Sequence, residues 1–244
     1  MRDYKKEYEE RVAFIRDLLE KSGAKGIVYG NSGGKDSALV GILCKAACDN
    51  TVGIIMPCAS KRNFGQDAED ARIAADQYGI ETRFIDLTPV REAEMQQLSS
   101  LTEVTPAAAV NIAPRLRMTT LYAVAASEGR LVAGTGNRSE AYVGYFTKWG
   151  DGASDFDVIA DLTATEVFEF LEYLNAPRCI IDKAPSAGLF DGQTDEQEMG
   201  VTYKAIDDFL LYGTVNAQDK AVIDRYHNRS EHKRKPLVTY KGKG

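Results

Sequence analysis

From residue 26 to residue 133, short apolar runs alternate with segments of helical periodicity, and this alternation constrains the fold more than any other feature. Residues 26–30, 52–56, 82–85 and 131–133 read as strands. Residues 37–47, 66–78, a segment after Pro89 and residues 116–127 read as helices between them. Apolar strands joined by helices run parallel, with right-handed crossovers and helices on both faces. The expected class is therefore α/β, a doubly wound parallel sheet flanked by helices. An opening amphipathic helix built on Val12, Ile15 and Leu19 ends near Gly23. No repeat or Gly/Ser/Pro linker divides the sequence, so 1–244 reads as one domain.

Beyond residue 133 the pattern changes. Residues 134–161 are rich in Gly and polar groups, and a second loop, 183–197, separates helices near 163–174 and 202–211. Loops this long are usually binding loops or lids. In an open parallel sheet they belong beyond the carboxyl ends of the strands, where the ligand crevice lies.

Charge and cysteines narrow the class of partner. Residues 225–244 hold seven Lys/Arg (Arg225, Arg229, Lys233, Arg234, Lys235, Lys241, Lys243) against Glu231, a tail of +6 on a chain of net charge −6. The remaining body is acidic and predicts no general nucleic-acid or membrane adhesion. No window approaches a membrane span, and the charged first eleven residues carry no secretory signal, so a cytosolic protein is expected. Cys44, Cys48, Cys58 and Cys179 lack CxxC spacing and read as buried thiols, with Cys44 and Cys48 on one helix.

Ser32-Gly33-Gly34-Lys35-Asp36-Ser37 lies between the first strand and its helix, where N–H groups and the positive helix end favour an anion. Adjacent glycines let the backbone approach a phosphate, and two serines add donors. The segment is not a Walker A loop, since Gly34-Lys35 is followed by Asp36, and it is not GxGxxG. A carboxylate inside an anion cradle makes sense with a cation between it and the phosphates, so Mg-nucleotide is the natural ligand.

This hexapeptide resembles the signature of the PP-loop ATP pyrophosphatases, which share an adenine nucleotide alpha hydrolase-like fold. They cleave ATP between the α- and β-phosphates and adenylate an oxygen that a nitrogen or sulfur nucleophile then displaces. Three further segments, 111–118 (NIAPRLRM), 134–155 (GTGNRSE through YFTKWGDGASD) and 231–234 (EHKR), sharpen the likeness. Together the four resemble the ammonia-dependent NAD synthetase family over nearly the whole chain. The resemblance implies ATP-dependent amidation of deamido-NAD by ammonia through an adenylated nicotinate carboxylate.

It also implies site residues. Asp36 and Glu140, each following a strand, are the catalytic pair and the Mg²⁺ ligands. Gly30, Ser32, Gly33, Gly34, Lys35, Asp36 and Ser37 bind ATP, with Thr135, Ser186 and backbone groups of Met56, whose side chain reads as core. Arg115, Lys148, Asp155, His232 and Lys233 bind deamido-NAD, which draws the His232-Lys233 pair out of the solvated tail. The family is dimeric, so a homodimer is expected. Residues 183–197 are the candidate lid, and ammonia comes free or from a partner.

The chain departs from the family at three places: Ala164 where the family has a phosphate-contacting Lys, Pro114 where it has Ala, and Val158 where it has Pro. Lys35 is expected to supply the charge missing at 164. Two other readings stand beside this one: another PP-loop enzyme of sulfur or nitrogen transfer, and a catalytically silent nucleotide-binding protein.

Overall fold

Val28, fully buried at the centre of β1 (Gly26–Gly30), pairs with Val52 of β2 (Thr51–Ile55) and with Val132 of β4 (Arg130–Gly134). The computed structural model describes residues 2–60, 64–183 and 195–240. In them β3 (Glu81–Phe84) and β5 (Phe156–Asp157) complete a parallel sheet of order β3-β2-β1-β4-β5. The order in which successive strands are laid down reverses between β1 and β4, the switch point at which α/β sheets open a crevice.

The helices are α1 (Tyr4–Ser22), α2 (Lys35–Ala47), α3 (Gln66–Gln77), α4 (Thr88–Leu98), α5 (Pro106–Val110), α6 (Ile112–Glu128) and α7 (Arg138–Val143). They continue as α8 (Ala164–Tyr173), α9 (Arg178–Ile181), α10 (Asp195–Met199), α11 (Tyr203–Tyr212), α12 (Ala217–Arg229) and α13 (Glu231–Arg234). Successive side chains of β1 face opposite ways, so Ile27 and Tyr29 join Ile15 of α1, Leu39 and Leu43 of α2 and Phe170 of α8. Val28 faces Ala113 and Ala125 of α6 instead. Both faces are covered, which is the doubly wound arrangement the alternation predicts. A third core joins Val143 of α7 to Met199, Ile206 and Ile223 of the C-terminal helices and fixes them against the sheet's carboxyl end.

Several expectations shift in detail. α2 begins at Lys35 rather than at residue 37, because Gly34 stands extended as its N-cap and puts Lys35 and Asp36 in the first turn. α1 ends as read, with Gly23 in the left-handed region at φ 68°. The polar stretch 134–161 contains α7 and β5, which are too short for a periodicity to register. Cys44 and Cys58 are buried, but Cys48 and Cys179 are half-buried, and Cys48 caps α2 instead of lying within it. Among the described residues no helix is long and apolar enough to cross a membrane.

Candidate active site

The chain leaves β1 at Gly30 and turns into α2 through a loop held by its own side chains. Asn31 is buried and donates from Nδ2 to the Ala71 carbonyl of α3 at 3.0 Å. Ser32 Oγ lies 3.0 Å from Ser37 Oγ, and Gly34 N donates to Ser32 Oγ at 3.3 Å. Gly33 has φ +70°, and a Cβ there would stand 2.2 Å from the Asp67 carbonyl, so both conformation and space exclude a side chain. The cradle and the start of α2 thus line a cleft of about 1210 Å³, with Ser32, Gly34, Lys35, Asp36 and Ser37 on its wall.

Asp36, in the first turn of α2, accepts from Asn137 Nδ2 at 2.9 Å. Asn137 follows β4 and caps α7: its Oδ1 accepts from Glu140 N at 3.0 Å, and its own N–H donates to Glu140 Oε2 at 3.1 Å. The two acids that the family resemblance pairs therefore meet one residue, Asp36 through the Asn137 side-chain amide and Glu140 through the Asn137 backbone N–H. Burial pushes the Asp36 carboxyl up to about 6, an effect that the Asn137 bond opposes. Burial, and then the Asp36 charge, holds Glu140 well above the ordinary carboxylate range. Two crowded carboxylates at a phosphate cradle suit a hard divalent cation that completes its shell with phosphate oxygens and water. Among the described residues no group of three or more His, Cys, Asp or Glu side chains gathers as a metal cage.

Gly30, Ser32, Gly34, Lys35, Ser37, Met56 and Thr135 line the same cleft. The Met56 side chain is buried, and its carbonyl accepts from Arg117 Nε at 3.0 Å. The Lys35 ammonium donates to the Lys183 carbonyl. Ala164 also faces the cleft, at the start of α8, with its N–H on Ser139 Oγ at 3.2 Å. Ser186 lies outside the described residues, as do residues 184–194 of the candidate lid.

The five residues matched to deamido-NAD divide. Lys233 lines the cleft, with Nζ on the carbonyls of Gly144 at 2.8 Å and Phe146 at 2.6 Å. Arg115, Lys148 and His232 form a connected ledge: Arg115 Nη2 donates to the Lys148 carbonyl at 3.3 Å, and Lys148 Nζ to the His232 carbonyl at 2.7 Å. Asp155 accepts from Tyr122 Oη at 3.2 Å and from Val132 N at 2.8 Å. These four stand outside the lining of the cleft.

Sequence reasoning missed Asn137, Asp157, Arg117 and Lys183. Asp157 Oδ2 accepts from Gly136 N at 3.2 Å, steadying the turn before Asn137, and burial takes its carboxyl to about 6. Arg117 sat inside the quoted 111–118 segment, but only the helix shows that it turns toward Met56. Asp157 carried no motif, and Lys183 opened the candidate lid 183–197 with no role of its own.

A glycine cradle after the first strand and paired acids across the switch point define a PP-loop nucleotide-binding protein of the adenine nucleotide alpha hydrolase fold. The comparisons with known proteins make this particular. A family model described as NAD synthase matches residues 7–237, and the chain belongs to that family. A relative from Carboxydothermus hydrogenoformans, named NH(3)-dependent NAD(+) synthetase, is 46% identical over 96% of each chain. The structure is similar to an NMN synthetase from Francisella tularensis, with TM-score 0.93 and 41% identity over 98% of this chain and 99% of that one. It is also similar to an NH3-dependent NAD synthetase from Campylobacter jejuni, with TM-score 0.81 and 30% identity over 99% and 100%.

Proposed function

We propose that this chain is a C–N ligase that amidates deamido-NAD to NAD with ammonia, consuming ATP. The observation that carries this reading is the convergence of Asp36, after β1, and Glu140, after β4, on Asn137 at the mouth of the glycine cradle. In this family such a cradle serves an adenylating reaction. The nicotinate carboxylate oxygen attacks the α-phosphorus of ATP, the bond to the β-phosphate oxygen breaks, and pyrophosphate leaves. Ammonia then attacks the acyl carbon, its C–O bond breaks, AMP departs, and the nitrogen loses a proton. Mg²⁺, when held by Asp36 and Glu140, supplies positive charge to the phosphates. The chain's own part is positioning: N–H groups of residues 32–37 orient the phosphates, Lys35 adds a cation in place of the one missing at Ala164, and the cleft limits water.

Residues 1–244 act as one domain, in the cytoplasm, where the four free thiols stay reduced. The ledge of Arg115, Lys148 and His232, with Asp155, receives the part of deamido-NAD that lies beyond the cleft, and pairing of two chains as a homodimer closes it. The test is formation of AMP and NAD from ATP, deamido-NAD and ammonium chloride with Mg²⁺; ATP binding without turnover would leave a silent nucleotide-binding protein. Replacing ammonium by glutamine should abolish the product.

One observation favours a second reading. Four of the five dinucleotide residues stand outside the cleft, and the Francisella tularensis neighbour is named NMN synthetase. The mononucleotide substrate would be nicotinate mononucleotide, which carries the same carboxylate. Comparing kcat/KM for the two acids decides between them.

A further inference from the structure

Asn137 is 2% exposed, and nothing in the adenylation chemistry requires an amide there. It nevertheless meets both acids. Its Nδ2 takes Oδ1 of Asp36, its backbone N–H takes Oε2 of Glu140, and its Oδ1 takes the N–H of Glu140. Each carboxylate therefore has one oxygen committed to the same residue. The turn that carries it is steadied in its own right, because Gly136 N donates to the half-buried Asp157 carboxylate.

We infer that Asn137 is a positioning residue that limits Asp36 and Glu140 to one ligating oxygen each and thereby selects a small octahedral cation over a large one. The inference rests on the reading of Asp36 and Glu140 as cation ligands. The chemistry follows from what the two classes of cation need. Ca²⁺ takes six to eight oxygens and readily uses both oxygens of a carboxylate, whereas Mg²⁺ wants six at short range and usually one oxygen from each carboxylate. A carboxylate with one oxygen held by an amide offers a cation the other, so the pair suits Mg²⁺ or Mn²⁺ and poorly satisfies Ca²⁺. Partners that orient metal ligands in this way commonly change metal affinity by roughly 10–100-fold when removed.

Asn137→Ser separates this role from helix capping. Serine caps a helix about as well as asparagine. Its single hydroxyl, used on Glu140 N, no longer reaches Asp36 as a donor in the manner of the amide. The probe is Mn²⁺ titrated by electron paramagnetic resonance into the full chain with α,β-methylene-ATP, which permits no turnover, followed by competition with Mg²⁺ and with Ca²⁺. The expected result is a thermal transition close to the unaltered protein, Mn²⁺ binding roughly tenfold weaker, and a Mg²⁺-to-Ca²⁺ preference at least tenfold smaller. Asn137→Asp also keeps the cap while it places a carboxylate against Asp36, and the same loss of preference is expected should the serine variant not fold. An unchanged Mg²⁺-to-Ca²⁺ ratio in a folded variant overturns the inference alone. Mn²⁺ that binds the unaltered protein and its Asp36→Asn variant equally overturns the ligand assignment and the inference with it.

Discussion

The Lys183 ammonium lies 2.8 Å from the Asp70 carboxylate of α3, and both side chains are almost fully enclosed. The same ammonium reaches Asp67 at 2.7 Å and the Gly33 carbonyl at 2.9 Å. One cation therefore ties the phosphate cradle to α3 and neutralises two acids that would otherwise face each other. Removing one partner of a buried charge pair costs about 3–5 kcal/mol, since the other is left uncompensated. Lys183→Met should lower stability by that amount in chemical denaturation and raise the KM for ATP, because Gly33 loses its tether. Wild-type stability in this variant would mean that the remaining partners of the two acids, among them Gln66 Nε2 at 2.7 Å from Asp70, suffice to hold them.

The charge state of the paired acids sets a pH dependence. Burial raises Asp36 to about 6 and holds Glu140 well up, above the roughly 4 of an unfolded carboxylate. The contribution of Asp36 to stability is therefore complete in acid and is lost as pH rises through about 6, and that of Glu140 is likewise lost as pH rises through its own raised pKa. Cation binding has the opposite sign, since ligands must be deprotonated. The Mg²⁺ half-saturation should rise as pH falls below about 6, approaching tenfold per unit where proton competition dominates. The thermal shift produced by Mg²⁺ with ATP should accordingly be larger at about pH 7.5 than at about pH 5. A half-saturation that ignores pH over this range would remove Asp36 from the ligand set.

How much of this was legible in the sequence depends on what kind of signal each residue carries. β1, β4 and the cradle were readable, because buried parallel strands are continuous apolar runs and Ser32–Ser37 has one sensible use after a strand. The pairing of Asp36 with Glu140 needed the family resemblance, since 104 residues separate them and spacing alone says nothing. Asn137 was invisible: Gly134-Thr-Gly-Asn137 reads as an ordinary polar turn, and only the folded chain shows its side-chain amide on Asp36 and its backbone N–H on Glu140. Lys183 and Asp70 met the same obstacle, 113 positions apart. Arg115 and Arg117 stand two positions apart in one motif, and the helical turn sends one to the ledge and the other to Met56.

Lys35 and Ala164 form a testable exchange. Both line the cleft, and the Lys35 ammonium rests on a neutral carbonyl, that of Lys183. Burial lowers its pKa while the Asp36 charge opposes that shift, so an arriving phosphate would find a partly desolvated cation. A charged hydrogen bond of this kind is worth about 1.5–3 kcal/mol. Lys35→Ala should raise the KM for ATP by roughly tenfold or more, the equivalent of about 1.4 kcal/mol per decade. Adding Ala164→Lys should recover most of it by offering the ammonium from α8. No recovery in the double variant would show that the two positions address different phosphates or none.

The ledge separates the two substrates. Arg115 presents an exposed guanidinium whose one hydrogen bond among the described residues, to the Lys148 carbonyl at 3.3 Å, leaves most of its donor fork available to a pyrophosphate. On the proposed function a dinucleotide would reach the ledge with its adenylate half while its nicotinate ring occupied the cleft; a mononucleotide would have nothing to place there. Arg115→Ala should therefore raise the KM for deamido-NAD by roughly tenfold, in line with about 1.5–3 kcal/mol for a charged hydrogen bond, and leave the KM for ATP unchanged. With nicotinate mononucleotide as substrate the same variant should match the unaltered protein. Equal losses with both acids would instead place Arg115 against the nicotinate ribose phosphate common to them, and the ledge would then serve the mononucleotide half.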